Sequence, residues 1–336
     1  MEDGDRPPFP LLRLPDDPLQ LVVLLMRRFD QFALSLVSKQ SKEVVKSIGL
    51  SSRITIKVDE EEVSIRIHKR ITENIRCSFA DDQVAINNLP SEMVKPTVTS
   101  TRGRHSFTRS RKGYRFEDWL SHCLEVFHQS KVTTVFFERL IPHFKSFRKT
   151  FESFTILKIM REYTDEEARD LLKLFIPVKK LYLDCNPFTN KDENNKLLQE
   201  VFIQNFNHLD LNWRTPLAID NLLIMNSKVI TISSEKLSEK VLNRFIKHWM
   251  AGSNPRLEYL ELSSDDDRRI SEEAVLKGIN YQKMPSTHRR YLENPPFINN
   301  PDYAYINGGY DVRRADGTTA SVLFNNYAYF VLVVLN

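Results

Sequence analysis

Apolar residues near the start of the chain recur at helical spacing. Four of them fall at positions i, i+3, i+4 and i+7 and predict one helix with a single apolar face: Leu19, Val22, Val23 and Met26. Asp17 before Pro18 predicts the start of this helix, because proline at the first helical position gives up no N–H group that the helix needs. Asp30 begins a second short helix, and Ser41 is placed to cap a third. Three such helices cannot enclose a core of their own, so their apolar faces are sized for a partner.

After residue 50 the pattern changes from helical spacing to alternation of apolar and polar residues. Two runs alternate, 54–58 and 63–67, and acidic residues separate them. Alternation places the apolar side chains of a strand on one face, so the two runs predict a β-hairpin.

Six short segments follow further along the chain, and in each of them two apolar residues flank a central residue. They begin at residues 135, 157, 181, 209, 230 and 260, a spacing of about 21 to 30 residues, with amphipathic helical patterns between them. One strand and one helix in each unit of this length is typical of leucine-rich repeats. A doubly wound α/β domain is the alternative, although no glycine-rich phosphate loop follows any of these segments.

The repeat gives way to irregular, proline-rich sequence from residue 285. Asp316-Gly317 predicts a hairpin turn, since glycine accepts positive φ, and residues 327–334 predict a last buried strand. The expected fold class is α/β, with three N-terminal helices and then a leucine-rich-repeat-like strand–helix solenoid with flanking β-hairpins. The expected divisions are an N-terminal tail (1–8), a helical motif (9–50), a β-hairpin region (51–92), a basic mobile loop (93–115), the repeat domain (116–284) and a C-terminal β-hairpin with the last strand (285–336).

Residues 93–115 carry many cations and no acidic residue. Seven basic side chains lie in this stretch: Lys95, Arg102, Arg104, Arg109, Arg111, Lys112 and Arg115. Phe107, Tyr114 and Phe116 are of the type that stacks on bases, so a nucleic-acid-binding module over 95–115 is one hypothesis. The net charge of only +4 and the lack of an RNA-binding signature favour a solvated basic loop instead and argue against a nucleic-acid partner.

Composition limits the class of protein. A hydrophobic fraction of 41% and a charged fraction of 27% are typical of a folded, soluble chain. Three widely spaced cysteines fit free thiols in a reducing compartment, and the N-terminus lacks the pattern of a signal peptide. No apolar run reaches the ~20 residues of a membrane helix. We therefore expect an intracellular protein, cytoplasmic, nuclear or both, with no membrane partner.

The sequence offers no pattern that is typical of an active site. The eight histidines are scattered without metal-ligand spacing. His122-Cys123 lies on an amphipathic helical pattern, where a core cysteine is the simpler interpretation. We therefore expect no catalytic residue, no cofactor and no metal, and a protein that is not an enzyme.

The N-terminal run resembles an F-box, the motif that docks onto the Skp adaptor of cullin–RING ubiquitin ligases. The residues that carry the resemblance are Leu14-Pro15, then Leu19, Val23 and Leu24, then Leu34-Ser35-Leu36-Val37-Ser38-Lys39. With the Gly-Gly-Tyr-Asp-Val-Arg-Arg run at 308–314, the chain is similar to the nematode-expanded family of F-box proteins with an F-box-associated domain. The tryptophan that many F-boxes carry after the Ser-Lys pair is absent.

The resemblance implies a substrate-recognition subunit of an SCF (Skp–cullin–F-box) ubiquitin ligase. Eight residues would bind the Skp adaptor and, through it, the cullin: Leu14, Pro15, Leu19, Val23, Leu24, Leu34, Leu36 and Val37. A target protein would bind the polar face of the repeat strands, where alternation places the candidates Lys158, Tyr182, Asp210, Thr231, Tyr259 and Glu261. Two alternatives stay open: helices that pack only on their own chain, and a non-ligase scaffold that has lost adaptor binding.

Overall fold

The computed structural model of the chain has two compact units, Met1–Thr155 and Ile156–Asn336. The structure describes residues 9–59, 62–69, 73–80, 96–100, 105–108, 114–138, 153–160, 163–188, 195–213, 218–264, 268–292, 305–324 and 328–335.

The first unit begins with helices and continues as a sheet. A 3-10 turn at Leu11–Arg13 leads into helices α1 (Asp16–Leu25), α2 (Arg28–Ser35) and α3 (Lys39–Ser47). The strands are β1 (Arg53–Val58), β2 (Glu62–Lys69), β3 (Glu73–Ala80), β4 (Thr97–Ser100), β5 (Ser106–Thr108) and β6 (Val132–Phe137), with helix α4 (Phe116–Val126) before the last. Their order in the sheet is β6-β1-β2-β3-β4-β5. The predicted β1–β2 hairpin is confirmed, with Ile56 opposite Ile65.

The helix caps differ from the sequence prediction by a few residues. Helix α1 begins at Asp16 after Pro15, without a side-chain cap, rather than at Asp17. Ser38, not Ser41, caps α3: the Ser41 N–H donates to the Ser38 Oγ at 3.1 Å, and the Ser38 N–H donates to the Ser41 Oγ at 2.9 Å. This reciprocal pair satisfies two backbone donors at once, as a capping box does.

The N-terminal helices pack against α4 of their own unit. Phe32 on α2 is fully buried and stacks on Phe127, with ring centroids 6.0 Å apart. The Ser35 Oγ lies 2.9 Å from the His122 Nε2 on α4, and both side chains are buried. Part of the apolar helix surface that the sequence assigned to a partner is therefore covered by the chain itself.

Strands β4 and β5 extend the first sheet into the segment that was expected to be a mobile loop. Val98 on β4 pairs with Cys77 on β3 and with Phe107 on β5. The mobile-loop prediction for 93–115 is therefore wrong for residues 97–100 and 106–108. Backbone pairing with an existing sheet edge outweighs the low apolar content that suggested a loop.

The second unit contains the strand–helix repeat. Its parallel strands are β7 (Phe154–Ile159), β8 (Lys180–Leu183), β9 (His208–Trp213), β10 (Val229–Ser234) and β11 (Tyr259–Ser264). Its helices are α5 (Asp165–Phe175), α6 (Asn195–Phe202), α7 (Ile219–Ile224), α8 (Glu239–Met250) and α9 (Glu272–Leu276). The segment at 135, which the sequence counted as the first repeat, is β6 of the first unit and pairs in parallel with β1.

Alternation along β8–β10 separates an apolar face from a polar face. Leu181, Leu209 and Ile230 are fully buried, while Tyr182, Asp210 and Thr231 are only half-buried. A doubly wound domain covers both faces of its sheet with helices, so this one-sided burial disfavours that alternative. The observed fold is mixed α/β; the solenoid form of a leucine-rich repeat stays a prediction.

Four antiparallel strands complete the strand order of the second unit: β12 (Gln282–Tyr291), β13 (Tyr305–Arg313), β14 (Thr319–Phe324) and β15 (Tyr329–Leu335). The order from β7 is β7-β8-β9-β10-β11-β15-β14-β13-β12. The predicted turn at Asp316-Gly317 joins β13 to β14, with a φ of 94° at Gly317. Strand β12 was missed because Pro285 and its exposed, non-alternating residues indicated a loop.

A partly buried ion pair stabilises the hairpin formed by β12 and β13, which we call the C-terminal hairpin. The Arg290 guanidinium donates to both carboxylate oxygens of Asp311, at 2.9 and 2.7 Å, to the Gly308 carbonyl and to the Ser321 Oγ. Gly309 has a φ of 105°, and a Cβ there would lie 2.5 Å from the Ser321 Oγ. Glycine is therefore required where β13 passes closest to β14.

We predict that Phe127→Ala destabilises the N-terminal helices although it lies outside them. Removing this buried ring should lower the free energy of unfolding by about 3–5 kcal/mol. Amide hydrogen exchange in α2 should accelerate, because Phe32 loses its stacking partner. Ser121→Ala, an exposed change on α4, should alter the free energy by less than about 0.5 kcal/mol and serves as the control. Unchanged exchange in α2 would show that these helices fold independently.

A second prediction concerns this ion pair. Arg290→Met should cost about 1–3 kcal/mol of unfolding free energy, because the partly buried Asp311 carboxylate loses the cation that donates to it. The double variant Arg290→Met, Asp311→Leu should recover most of this loss, which urea denaturation of the four proteins in the cycle would measure. If the Arg290→Met variant and the double variant lost the same amount of unfolding free energy, the coupling between Arg290 and Asp311 would be contradicted.

Candidate functional site

An apolar ridge runs along the outer side of α1. Leu21 and Leu25 lie one helical turn apart and are 58% and 78% exposed, whereas Leu19 and Val23 on the opposite side are buried. At 100° per residue these two pairs face in opposite directions. Two leucines this exposed on one ridge are the type of surface that a partner protein covers.

A largely apolar groove lies next to α2. It has a volume of about 510 Å³ and is lined by Met26, Asp30, Ala33, Leu34, Val37, Phe107 and Thr108. The last two residues come from β5, where Phe107 packs on Phe29 with ring centroids 5.4 Å apart. The Arg27 Nη1 also lies 2.6 Å from the His105 Nε2. One wall of the groove is therefore built from a strand that follows the helices by some seventy residues.

The eight residues predicted to bind the adaptor separate by burial. Pro15, Leu24 and Val37 are exposed, and Leu14 and Leu34 are half-buried. The remaining three lie in the core of the unit: Leu19, Val23 and Leu36. The sequence reasoning missed Phe9, Leu21 and Leu25, although the i, i+4 spacing of the two leucines was visible as a second apolar stripe.

On the second sheet the structure brings five of the six predicted target-binding residues into one line across the strands. Pairing aligns the five, which we call the strand-face row: Lys158, Tyr182, Asp210, Thr231 and Glu261. Parallel strands in register place residues of the same alternation on the same face, about 4.8 Å from strand to strand.

Hydrogen bonds tie the strand-face row to His208, whose side chain is 9% exposed. The Tyr182 hydroxyl lies 3.2 Å from the His208 Nδ1, and the His208 Nε2 lies 3.2 Å from the Thr231 Oγ1. The Lys158 ammonium sits 4.5 Å from the centre of the Tyr182 ring. This bonding holds three neighbouring strands in fixed register and keeps the polar side chains in defined positions.

Partial burial shifts the ionisation of two groups in this region. Desolvation, aided by the nearby cations Lys180 and Lys158, lowers the pKa of His208 to about 4. Desolvation raises the pKa of Asp210 to about 6 against the opposing charge of Lys158, and Glu261 raises it further. His208 is therefore neutral at pH 7, while ionisation of the Asp210 carboxyl lowers the free energy of unfolding.

Tyr259, the sixth candidate, is not available on this surface. It is buried in a cluster with Leu292, Ile306, Val331 and Val333. Strand β15 lies beside β11, and the C-terminal hairpin places Leu292 and Ile306 against this face. Alternation along β11 correctly placed Tyr259 on the polar side, but it could not show that distant strands cover that side.

The three aromatic residues of the nucleic-acid-binding hypothesis all make ring contacts within the chain. Phe116 is buried against Phe79, Tyr114 packs on Trp119 with ring centroids 5.5 Å apart, and Phe107 lines the groove beside α2. Of its seven cations, only Arg115 falls among the described residues; the others lie outside them.

Two further searches concern the described residues only. Within those ranges, no group of three or more histidine, cysteine, aspartate or glutamate side chains is placed to hold a metal ion. No helix among them is long and apolar enough to cross a membrane.

We predict that Asp210→Asn stabilises the protein at neutral pH but not in acid. A carboxyl whose folded pKa lies above its ordinary value of 3.8 weakens the fold as it ionises, so its penalty grows from about pH 4 to pH 6 and persists above. The gain at pH 7.5 should be about 1 kcal/mol once solvent screening of this partly exposed group is included, and should vanish at pH 3.5.

Asp316→Asn is the matched comparison for that experiment. Hydrogen bonds from Arg314 and Thr318 lower the pKa of the exposed Asp316 carboxyl, so its ionised form supports the fold. This variant should lose stability at pH 7.5 and match the wild type only well below pH 3.8. Urea denaturation at several pH values gives both curves. A gain for Asp210→Asn that is the same at every pH would refute the ionisation argument.

Two family models match the chain. The model described as F-box domain matches residues 11–53, which include α1, α2 and α3. The model described as F-box associated matches residues 197–262, which include Asp210, Thr231 and Glu261 of the strand-face row.

Comparison with whole proteins agrees with these matches. The chain is 25% identical over 329 residues to the F-box associated domain-containing protein sdz-33 of Caenorhabditis elegans, which covers 95% of this chain and 96% of that protein. No solved structure matches the chain. Residues 11–53 thus match an F-box model and residues 197–262 an F-box-associated model, a combination that is typical of non-catalytic F-box adaptor proteins.

Proposed function

We propose that this protein is the substrate-recognition subunit of an SCF-type ubiquitin ligase. F-box domains typically bind a Skp-type adaptor, and the observation that carries the proposal is the apolar ridge of Leu21 and Leu25 within the F-box match. In this proposal the ridge, with the exposed Pro15, Leu24 and Val37, binds the adaptor and through it the cullin.

The proposed mechanism is proximity. The chain holds a target protein near a ubiquitin-loaded enzyme that other subunits recruit, and it contributes no catalytic residue itself. Holding the two reactants in one complex raises the effective concentration of the target lysine, which replaces a chance encounter by a local one. In keeping with this role we place the protein inside the cell.

The strand-face row is the proposed contact for the target. Its side chains are polar, half-buried and held in position by the Tyr182–His208–Thr231 hydrogen bonds. A pre-ordered polar surface loses little conformational entropy on binding. The leucine-rich-repeat-like solenoid remains part of the proposal, since such repeats present their strand faces to partners.

We predict that the double variant Leu21→Ala, Leu25→Ala weakens binding of the purified Skp adaptor about 100-fold. Each truncated leucine loses about 1.5 kcal/mol of interface burial, and 1.4 kcal/mol corresponds to a factor of ten. Isothermal titration calorimetry on the full chain measures the affinity, and the melting temperature should be unchanged because both residues are exposed.

Gln20→Ala is the control for this experiment, since Gln20 is exposed on the same helix but is polar. It should leave the affinity within about twofold of the wild type. A wild-type chain that fails to bind the adaptor would refute the proposed function. Equal binding by the double variant would remove the apolar ridge from the interface.

A further inference from the structure

The C-terminal hairpin presents an exposed cluster of aromatic and cationic side chains. Tyr291 on β12 is 61% exposed and Tyr305 on β13 is 40% exposed, and their ring centroids lie 5.3 Å apart. The Arg289 guanidinium carbon lies 3.8 Å from the centre of the Tyr305 ring. We call Arg289, Tyr291 and Tyr305 the tyrosine–arginine patch. Tyrosine and arginine are the residue types most enriched at the energetic centres of protein interfaces.

Residues next to the patch are held in fixed positions by hydrogen bonds and core packing. Directly beside it, Arg290 is anchored by the Asp311 carboxylate, the Gly308 carbonyl and the Ser321 Oγ. Leu292 and Ile306 belong to the buried cluster that covers Tyr259. Because neighbouring residues of a strand point to opposite sides, anchoring Arg290 and Ile306 on one side fixes the patch on the other. A surface that is already ordered keeps more of its contact energy on binding.

The charge of the hairpin surface is positive. Lys283 and Arg289 are exposed on β12, and no carboxylate among the described residues forms an ion pair with either of them. Asp311, the acidic residue of β13, forms an ion pair with Arg290. One face of the Arg289 guanidinium rests on Tyr305, which leaves its N–H edge free to donate two parallel hydrogen bonds to a carboxylate.

Strand addition at the open edge of β12 is disfavoured. Met284 pairs with Gly309 and Arg289 pairs with Asn307, so the register shifts and residues 285–288 have only Gly308 opposite them. Pro285 also lacks the N–H that a new strand would need. A partner would therefore be recognised through the side chains of the hairpin rather than by extending the sheet.

We propose that the tyrosine–arginine patch binds an acidic segment of the target protein, with an Asp or Glu carboxylate paired to Arg289 and an apolar neighbour covering Tyr291. This inference rests on the proposed function, because it names the chemistry of the target that the ligase would select. The patch lies outside both family-model matches, so it is suited to distinguish this chain's targets from those of other F-box proteins.

The test is a selection from a displayed library of random 12-residue peptides on the purified full chain. The recovered peptides should be enriched in Asp and Glu, and Arg289→Glu or Tyr305→Ala should weaken their binding by at least about tenfold. Arg289→Glu should instead retain peptides rich in Lys and Arg. Arg313→Glu is the matched control, since Arg313 is exposed on β13 beyond the patch, and it should leave binding within about twofold.

Three outcomes would overturn the inference. The first is a set of recovered peptides without an acidic bias. The second is a set of acidic peptides that bind Arg289→Glu as well as they bind the wild type. The third is a patch that binds only phosphorylated peptides, or that binds a single-stranded oligonucleotide in place of the acidic peptides. Unchanged melting temperatures of the variants exclude misfolding as the cause of lost binding. Adaptor affinity is measured on the same samples, so a failure of the ligase proposal appears as lost adaptor binding and is separate from the peptide result.

Discussion

The packing of α2 against α4 is the interaction on which the exposed apolar surface of the N-terminal helices depends. Phe32 stacks on Phe127, and the Ser35 hydroxyl contacts His122, so one side of the three N-terminal helices is fixed inside the first unit. With that side occupied, Leu21 and Leu25 are left on the opposite side of α1, exposed to solvent. The surface offered to a partner is thus defined by what the chain already covers.

In the second unit, the alternation of apolar and polar residues along β8 to β11 determines which side chains form the exposed surface. Leucine and isoleucine side chains on one face form the core, and this obliges the residues between them to face the other way. Parallel pairing in register then converts separate polar residues, such as Tyr182 and Asp210, into neighbours. The spacing of the apolar residues and the geometry of the sheet are sufficient to align the residues of the strand-face row. The identity of those residues then determines the chemistry of the surface.

Much of this could be predicted from the sequence because it depends on local pattern. The β1–β2 hairpin, the turn at Asp316-Gly317 and the alignment of Lys158 with Tyr182 follow from periodicity and turn chemistry. The burial of Tyr259 could not be predicted, because it depends on Leu292 and Ile306 arriving from elsewhere in the chain. The strands β4 and β12 carry weak local signals, and pairing with neighbours decides their structure.

The wall that β5 contributes to the groove beside α2 has a thermodynamic consequence. A ligand that occupies a site made from two segments binds only when both are folded, so occupancy and folding of the first unit are linked equilibria. At a ligand concentration of about 100 times Kd, such linkage adds about 2.7 kcal/mol to the free energy of unfolding. Without such a ligand the chain would unfold more often and be cleared sooner by cellular proteases.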